Sequence, residues 1–164
     1  MSVLAMATPE TEHVRTVYLQ PGQLHVADSP TTITTILASC VAVCLFDARR
    51  RIGGMNHFLL PKALGIDGAP ARFGASATQL LIDQMLARGS RMRDLQAKLF
   101  GGATVLAAVP GNPDRMPLGD SNVRCAFDLL DKAGIPVVAS DVGGTRGRKI
   151  IFHTDDGSAF MKWL

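Results

Sequence analysis

The feature that most constrains the fold is a run of eight residues whose two alternating faces are both apolar. It spans residues 39–46 and reads Ser-Cys-Val-Ala-Val-Cys-Leu-Phe. A strand with one solvent-exposed face alternates polar and apolar residues, so this segment is expected to be covered on both sides. The fold therefore needs a sheet with a packed layer on each face.

The rest of the chain predicts more strands and two helices. Strands are expected at 16–19, 24–26, 31–36, 52–60, 97–100, 137–142, 149–153 and 159–163, separated by turns rich in Gly, Pro and Asp. One helix is expected from an N-cap at Ser76 to a stop at Gly89, and another from Asp120 or Ser121 to Gly134. These elements predict one α+β domain.

Length and composition fit a soluble globular protein. The 164 residues, 47% apolar and 19% charged, predict one folded domain at 15–164 after a loose segment at 1–14. No run reaches the roughly 18 apolar residues of a membrane helix, and the N-terminus has no secretory pattern. Its three cysteines form neither a disulfide framework nor a paired metal motif, which favours the reducing cytoplasm.

Charge favours a protein partner over a nucleic acid. The net charge is +3, and the dense basic run is Arg49-Arg50-Arg51, expected to form a solvated turn. One tryptophan and one tyrosine provide no stacking platform for bases. An acidic protein surface is at least as good a target as a nucleic acid.

One cysteine and one histidine are candidates for catalysis. A hairpin turn centred between Ala48 and Arg49 would place Cys40 directly opposite His57, with Cβ atoms roughly 4.5–5.5 Å apart. A histidine at that distance can accept the thiol proton and create a nucleophilic thiolate. A longer turn, or a bulge at 53–54, would shift this register. The other cysteines, Cys44 and Cys125, are expected to be packing residues.

Several separated motifs resemble one known family. The segments at 37–47 and 52–61 closely resemble the signature of the CheD family, the chemoreceptor glutamine deamidases. Further similar motifs follow in the family's order at 98–103, at 118–119 with 122–123, and at 141–144 with 147–149. The resemblance covers about residues 15–162, and it implies a sandwich of mixed β-sheets flanked by helices.

The resemblance also implies the site residues. It makes Cys40 the nucleophile and His57 the general base, with a threonine shortly before the cysteine as a third catalytic residue. Thr34 and Thr35 are both candidates, and Thr34 is favoured. Residues expected to bind substrate or stabilise the oxyanion are Ser39, Asn56, Gly101, Gly102 and Arg148. No metal or organic cofactor is expected.

The family's implied substrates are helical cytoplasmic segments of methyl-accepting chemotaxis receptors, and a CheC-type phosphatase is an implied partner. Hydrolysis of glutamyl methyl esters would use the same intermediate. The chain departs from the family at Ala38, where glycine is usual. The alternative function is a docking module that binds receptors or the phosphatase but has weak catalysis.

Overall fold

The computed structural model of the protein describes residues 13–62, 70–104 and 116–164. The expectation of a loose N-terminus at 1–14 falls almost entirely outside these residues. The strands are β1 (Arg15–Tyr18), β2 (Leu24–Ala27), β3 (Thr31–Leu37), β4 (Val41–Asp47), β5 (Ile52–Asn56), β6 (Gln96–Gly101), β7 (Val137–Val142), β8 (Arg148–His153) and β9 (Ala159–Trp163). The helices are α1 (Gly74–Ala87) and α2 (Leu118–Ala133), with short 3-10 turns at Pro70–Arg72 and Met92–Asp94.

These strands form two mixed sheets, which confirms the predicted α+β sandwich. Sheet A has the order β1-β3-β8-β9, and sheet B has the order β2-β5-β4-β6-β7. Each sheet contains one parallel pair, β1 with β3 and β6 with β7, and its other pairs are antiparallel. Both described helices pack on sheet B, so the layers run from sheet A through sheet B to the helices.

The apolar run that suggested a doubly covered strand is β4, the central strand of sheet B. Val41, Val43 and Leu45 point toward the helices, while Ala42 and Cys44 point toward sheet A. All seven residues of β4 are buried. The prediction that this segment is covered on both sides is therefore confirmed, and β4 separates two apolar clusters.

The β4–β5 hairpin has a longer turn than the sequence predicted. Asp47 pairs with Ile52, so four residues form the loop and the register differs by two positions. One carboxylate oxygen of Asp47 accepts hydrogen bonds from the backbone N–H groups of Arg49 and Arg50, and Arg51 adopts a positive φ of 56°. This side-chain-capped turn replaces the expected tight turn.

Both helices begin before their predicted caps. Ser76 lies inside α1, because the chain caps that helix with its own backbone: Leu60 accepts from the N–H of Gly74 and Pro61 from that of Ala75. The start of α2, at Leu118, likewise precedes Asp120 and Ser121. Its predicted end is confirmed, since Gly134 adopts the left-handed conformation with φ of 70°. No helix in the described ranges is long and apolar enough to span a membrane.

Candidate active site

Cys40 and His57 lie on the same face of sheet B. Side chains alternate along a strand, so Cys40 shares the face of Ala42 and Cys44, and His57 shares the face of Met55. Ala42, Cys44 and Met55 belong to the apolar cluster between the sheets, and Cys40 packs against it. Both candidate groups are therefore directed into the layer between the two sheets.

The two residues are diagonal neighbours rather than directly opposed. Val41 pairs with Phe58, which places Ala42 opposite His57 and Cys40 two positions further along. The predicted direct opposition is wrong because the turn at Asp47 adds two residues. Diagonal neighbours on one face remain within reach of a ring-sized side chain. The Cys40 thiol is half-buried and makes no hydrogen bond to His57 in this structure, and catalytic contacts commonly tighten only when substrate binds.

Thr35 is the threonine that contacts His57. Its Oγ1 lies 2.7 Å from Nδ1 of His57, and the Thr35 side chain is fully buried. Thr34 points to the opposite face of β3, where its hydroxyl donates to the carbonyl of Ile150. Neighbouring residues on a strand face opposite ways, and the odd positions of β3 point inward, so the structure brings Thr35 rather than the favoured Thr34 to His57.

The Thr35 contact also fixes which nitrogen of His57 carries a proton. A hydroxyl has one hydrogen, and Thr35 donates it to the carbonyl oxygen of Leu19 at 2.8 Å. Thr35 can therefore only accept from His57, so Nδ1 must hold the ring hydrogen. Nε2 is the unprotonated nitrogen of the neutral ring, and it is buried without a hydrogen-bond partner among the described residues.

Burial keeps both candidate groups neutral at physiological pH. Burial lowers the pKa of His57 to about 4, and it raises the pKa of the Cys40 thiol. The Cys40 backbone N–H lowers that thiol pKa in part, because it lies close to the sulfur. This N–H has no other acceptor among the described residues. It is thus available to stabilise negative charge that develops next to the sulfur.

Glycines 101 and 102 pack directly against the backbone of Cys40. The N–H of Gly102 donates to the Cys40 carbonyl at 2.9 Å. Gly101 has φ of 109°, and a Cβ built on it would lie 2.2 Å from the same carbonyl oxygen. These glycines hold the backbone around Cys40 at close range, which a side chain would prevent.

We predict that Gly101→Ala destabilises the protein far more than Gly143→Ala. Gly143 also has a positive φ, of 80°, but a Cβ there meets no atom within 4 Å. The Gly143 variant should lose only the conformational term, about 1–2 kcal/mol, and the Gly101 variant about 3 kcal/mol or more through its clash with Cys40. Urea unfolding measures both free energies. Equal losses of unfolding free energy in the two variants would show that the close contact between Gly101 and the Cys40 carbonyl does not exclude a side chain.

Asn56 and Arg148 bond to the protein's own groups, but Asn56 Nδ2 and Arg148 Nε are buried without a hydrogen-bond partner among the described residues. The Oδ1 of Asn56 accepts from the backbone N–H of Val43 on the neighbouring strand at 2.8 Å. Arg148 is fully buried, donates to the backbone and carboxylate of Asp141 and to the Gly143 carbonyl, and lies over the Trp163 ring. These contacts tie both residues to the surrounding segments, and their expected role in substrate binding stays a prediction.

Asn122 and the Leu19 carbonyl were not among the predicted site groups. Asn122 lies in the first turns of α2, and its Nδ2 donates to the carbonyls of Ser39 and Leu59. Its only signal in the sequence was its place in a resembling motif. The Leu19 carbonyl left no signal, because it belongs to the main chain.

Comparison with known proteins identifies the family. The model of the family described as CheD chemotactic sensory transduction matches residues 59–163. A probable chemoreceptor glutamine deamidase CheD 1 of Anaeromyxobacter dehalogenans (strain 2CP-C) is 52% identical over 90% of this chain and 84% of its own length. A probable chemoreceptor glutamine deamidase CheD of Trichlorobacter lovleyi (strain ATCC BAA-1151 / DSM 17278 / SZ) is 43% identical over 95% of each chain. The chain belongs to the CheD family.

Ala38, the departure from the CheD pattern, is accommodated without strain. Arg51 is the one non-glycine residue with positive φ in the described part of the chain, so Ala38 has an ordinary backbone conformation. Its side chain is exposed, and its carbonyl accepts from the N–H of Ala103 at 2.8 Å. Position 38 therefore does not need a backbone conformation that favours glycine.

The pKa directions predict how the Cys40 thiol reacts in the free CheD protein. Because burial raises its pKa and His57 stays neutral, the thiolate fraction at pH 7 is small. Below the thiol pKa that fraction grows about tenfold for each pH unit. Alkylation of Cys40 by iodoacetamide, followed by mass spectrometry, should therefore accelerate about tenfold per unit from pH 6 to pH 8. A rate independent of pH would indicate a preformed thiolate–imidazolium pair instead.

Proposed function

We propose that the protein is a cysteine hydrolase that converts glutamine side chains of chemotaxis receptors to glutamate. The observation that carries the proposal is the buried Thr35–His57 contact, which leaves an unprotonated Nε2 on the face of sheet B that also carries Cys40. A thiol, a neutral imidazole and a residue that orients it are the components of acyl-transfer catalysis. The relatives named as chemoreceptor glutamine deamidases support the substrate class.

The first half of the reaction forms a thioester. His57 Nε2 takes the thiol proton as Cys40 Sγ attacks the amide carbon of the glutamine. The buried histidine favours transfer during attack, because its lowered pKa disfavours a stable imidazolium beforehand. The backbone N–H of Cys40 donates to the oxyanion, with the Ser39 segment as the neighbouring donor region. Nε2–H then protonates the departing nitrogen, and ammonia leaves.

The second half releases glutamate. His57 Nε2, again unprotonated, removes a proton from water as the water oxygen attacks the thioester carbon. The tetrahedral intermediate collapses, Sγ leaves, and Nε2–H returns the proton to it. The contact from Nδ1–H to Thr35 persists throughout, since the protonated ring also donates from Nδ1. The net change is one water consumed and one ammonia released for each glutamine.

The half-buried position of Cys40 suits a side chain presented by another protein. The segment before it is open, since Ala38 is exposed. A depression elsewhere on the described surface is lined by residues that include Thr32, His153 and Phe160. Its lining contains no cysteine, so it does not offer a second site for this reaction. A glutamyl methyl ester would fit the same chemistry, because it passes through the same tetrahedral intermediate.

The proposed setting is a reducing compartment, the cytoplasm, with receptor helices as partners. The cysteines of the described residues are free, as a thiol nucleophile requires. The described ranges contain no group of three or more His, Cys, Asp or Glu side chains arranged to hold a metal, and the proposed steps use none. Binding of a CheC-type phosphatase stays a prediction. The docking-module alternative is not favoured. Its support in the sequence was Ala38, which has an ordinary backbone conformation, and the relatives are named as deamidases.

The proposal is tested with purified protein and receptor cytoplasmic segments that carry glutamine at their modification sites. Mass spectrometry should record a gain of about 1 Da per site in ordinary water and about 3 Da in water labelled with oxygen-18, because thioester hydrolysis introduces one solvent oxygen. Segments with asparagine at the same sites serve as the matched substrate control. Absence of any gain on receptor segments that measurably bind the protein would contradict the deamidase and support the docking module.

A further inference from the structure

We propose that Asn122 is a positioning residue that clamps the nucleophile segment to the base segment. This inference rests on the proposed roles of Cys40 and His57. Asn122 belongs to α2, outside both segments, and its side chain is fully buried. Its Nδ2 donates to the carbonyl of Ser39 at 3.0 Å and to the carbonyl of Leu59 at 2.9 Å.

These two carbonyls flank the catalytic residues. Ser39 immediately precedes Cys40, and Leu59 lies two residues after His57. Between them, Val41 and Phe58 exchange the last pair of backbone hydrogen bonds, at 3.2 Å and 3.0 Å. Beyond that pair the two segments have no direct ladder contact, so the Asn122 amide bridges the open end of the hairpin.

The orientation of the amide is determined by its partners. Both acceptors are carbonyl oxygens, so only the NH₂ group can face them, and its two hydrogens match the two acceptors. The opposite orientation would bring Oδ1 against two other oxygens. Oδ1 instead lies buried without a hydrogen-bond partner among the described residues. A buried acceptor in this state costs free energy, which the two donated hydrogen bonds offset.

The start of α2 is itself fixed to the nucleophile segment. A Cβ built on Gly119 would lie 2.4 Å from the carbonyl oxygen of Gly102, so the helix packs backbone to backbone there. Gly102 in turn donates to the Cys40 carbonyl. Asn122 therefore lies on a helix that already packs against Gly102, the residue that donates a hydrogen bond to the Cys40 carbonyl. Loss of the clamp should let Sγ and Nε2 separate while the receptor-binding surface stays unchanged.

The test compares Asn122→Asp with Ala126→Gly. Asn122→Asp keeps the side-chain shape but leaves at most one donor, the O–H of a protonated carboxyl, so the double clamp is lost. The kcat for deamidation should fall at least tenfold while KM stays within about twofold. Ala126 is buried on the same helix, and Ala126→Gly weakens that helix without touching Ser39 or Leu59. It should lower the melting temperature and leave kcat of the folded enzyme unchanged. Asn122→Ser, with a single donor, is the second clamp variant in case Asn122→Asp fails to fold.

The outcomes separate the clamp from the active-site assignment. A kcat loss confined to the Asn122 variants supports the clamp. Wild-type kcat in a folded Asn122 variant, or an equal kcat loss in Ala126→Gly, overturns it. Full activity in a Cys40→Ala control would instead overturn the assignment of Cys40 as the nucleophile. The clamp proposal would then fail as well, because Asn122 would not position a catalytic residue.

Discussion

Cys40→Ala is expected to reduce deamidation of receptor glutamines by about 10⁴-fold or more, because covalent catalysis has no substitute for the attacking sulfur. The variant should remain folded, since Cys40 is half-buried at the edge of its apolar cluster and the substitution removes one atom. Single-turnover deamidation followed by mass spectrometry measures the loss.

Cys44→Ala is the matched control for this variant. Cys44 lies on the same face of the same segment, but it is fully buried and burial strongly raises its pKa, which makes it inert. Its substitution should cost some stability and leave the rate constant unchanged in folded protein. Loss of activity in Cys44→Ala together with activity in Cys40→Ala would reverse the assignment of the nucleophile.

Thr35→Val is expected to lower kcat about 100-fold, within the range of general acid–base catalysis. Valine has the shape of threonine but neither accepts from Nδ1–H of His57 nor donates to Leu19, so the ring loses both its orientation and its enforced proton position. Thr35→Ser keeps the hydroxyl and should retain activity within about tenfold, still far above the valine variant. Steady-state kinetics on a receptor segment measure all three proteins.

Thr34→Val controls for the loss of a threonine hydroxyl from β3. Thr34 donates to the Ile150 carbonyl on the outer face of sheet A, so its loss costs about 1 kcal/mol of stability without altering His57. Its kcat should stay within about twofold of the wild type. A large loss in Thr34→Val with full activity in Thr35→Val would restore the original preference for Thr34.

Much of the architecture could be predicted because strand patterns are local. The strands β7 and β9 have the predicted bounds, and the doubly covered β4 follows directly from its apolar faces. The hairpin register could not be predicted, since it depends on a turn whose length is set by the Asp47 side chain. A local pattern identifies a strand, whereas register and helix starts depend on tertiary hydrogen bonds.

The candidate site could be predicted only in part, for the same reason. Cys40 and His57 followed from residue types and resemblance, and they share a face because the register differs by an even number of positions. The choice between Thr34 and Thr35 needed the inward face of β3, which the β-branched run at 31–36 did not reveal. Asn122 acts across a sequence separation of 83 residues, beyond any local pattern.

Because Thr35 donates its hydrogen to the main-chain carbonyl of Leu19, the sequence of related proteins can vary at position 19. Every amino acid has this oxygen, so the group that decides the protonation of His57 can persist while residue 19 changes freely within the limits of packing. What must be preserved is the path of the chain, where Leu19 bonds to Thr34 and the following turn bonds to His57 through Gly22 and Gln23. Selection on this feature should therefore appear as intolerance of insertions and deletions between β1 and β2, rather than as a fixed residue in an alignment.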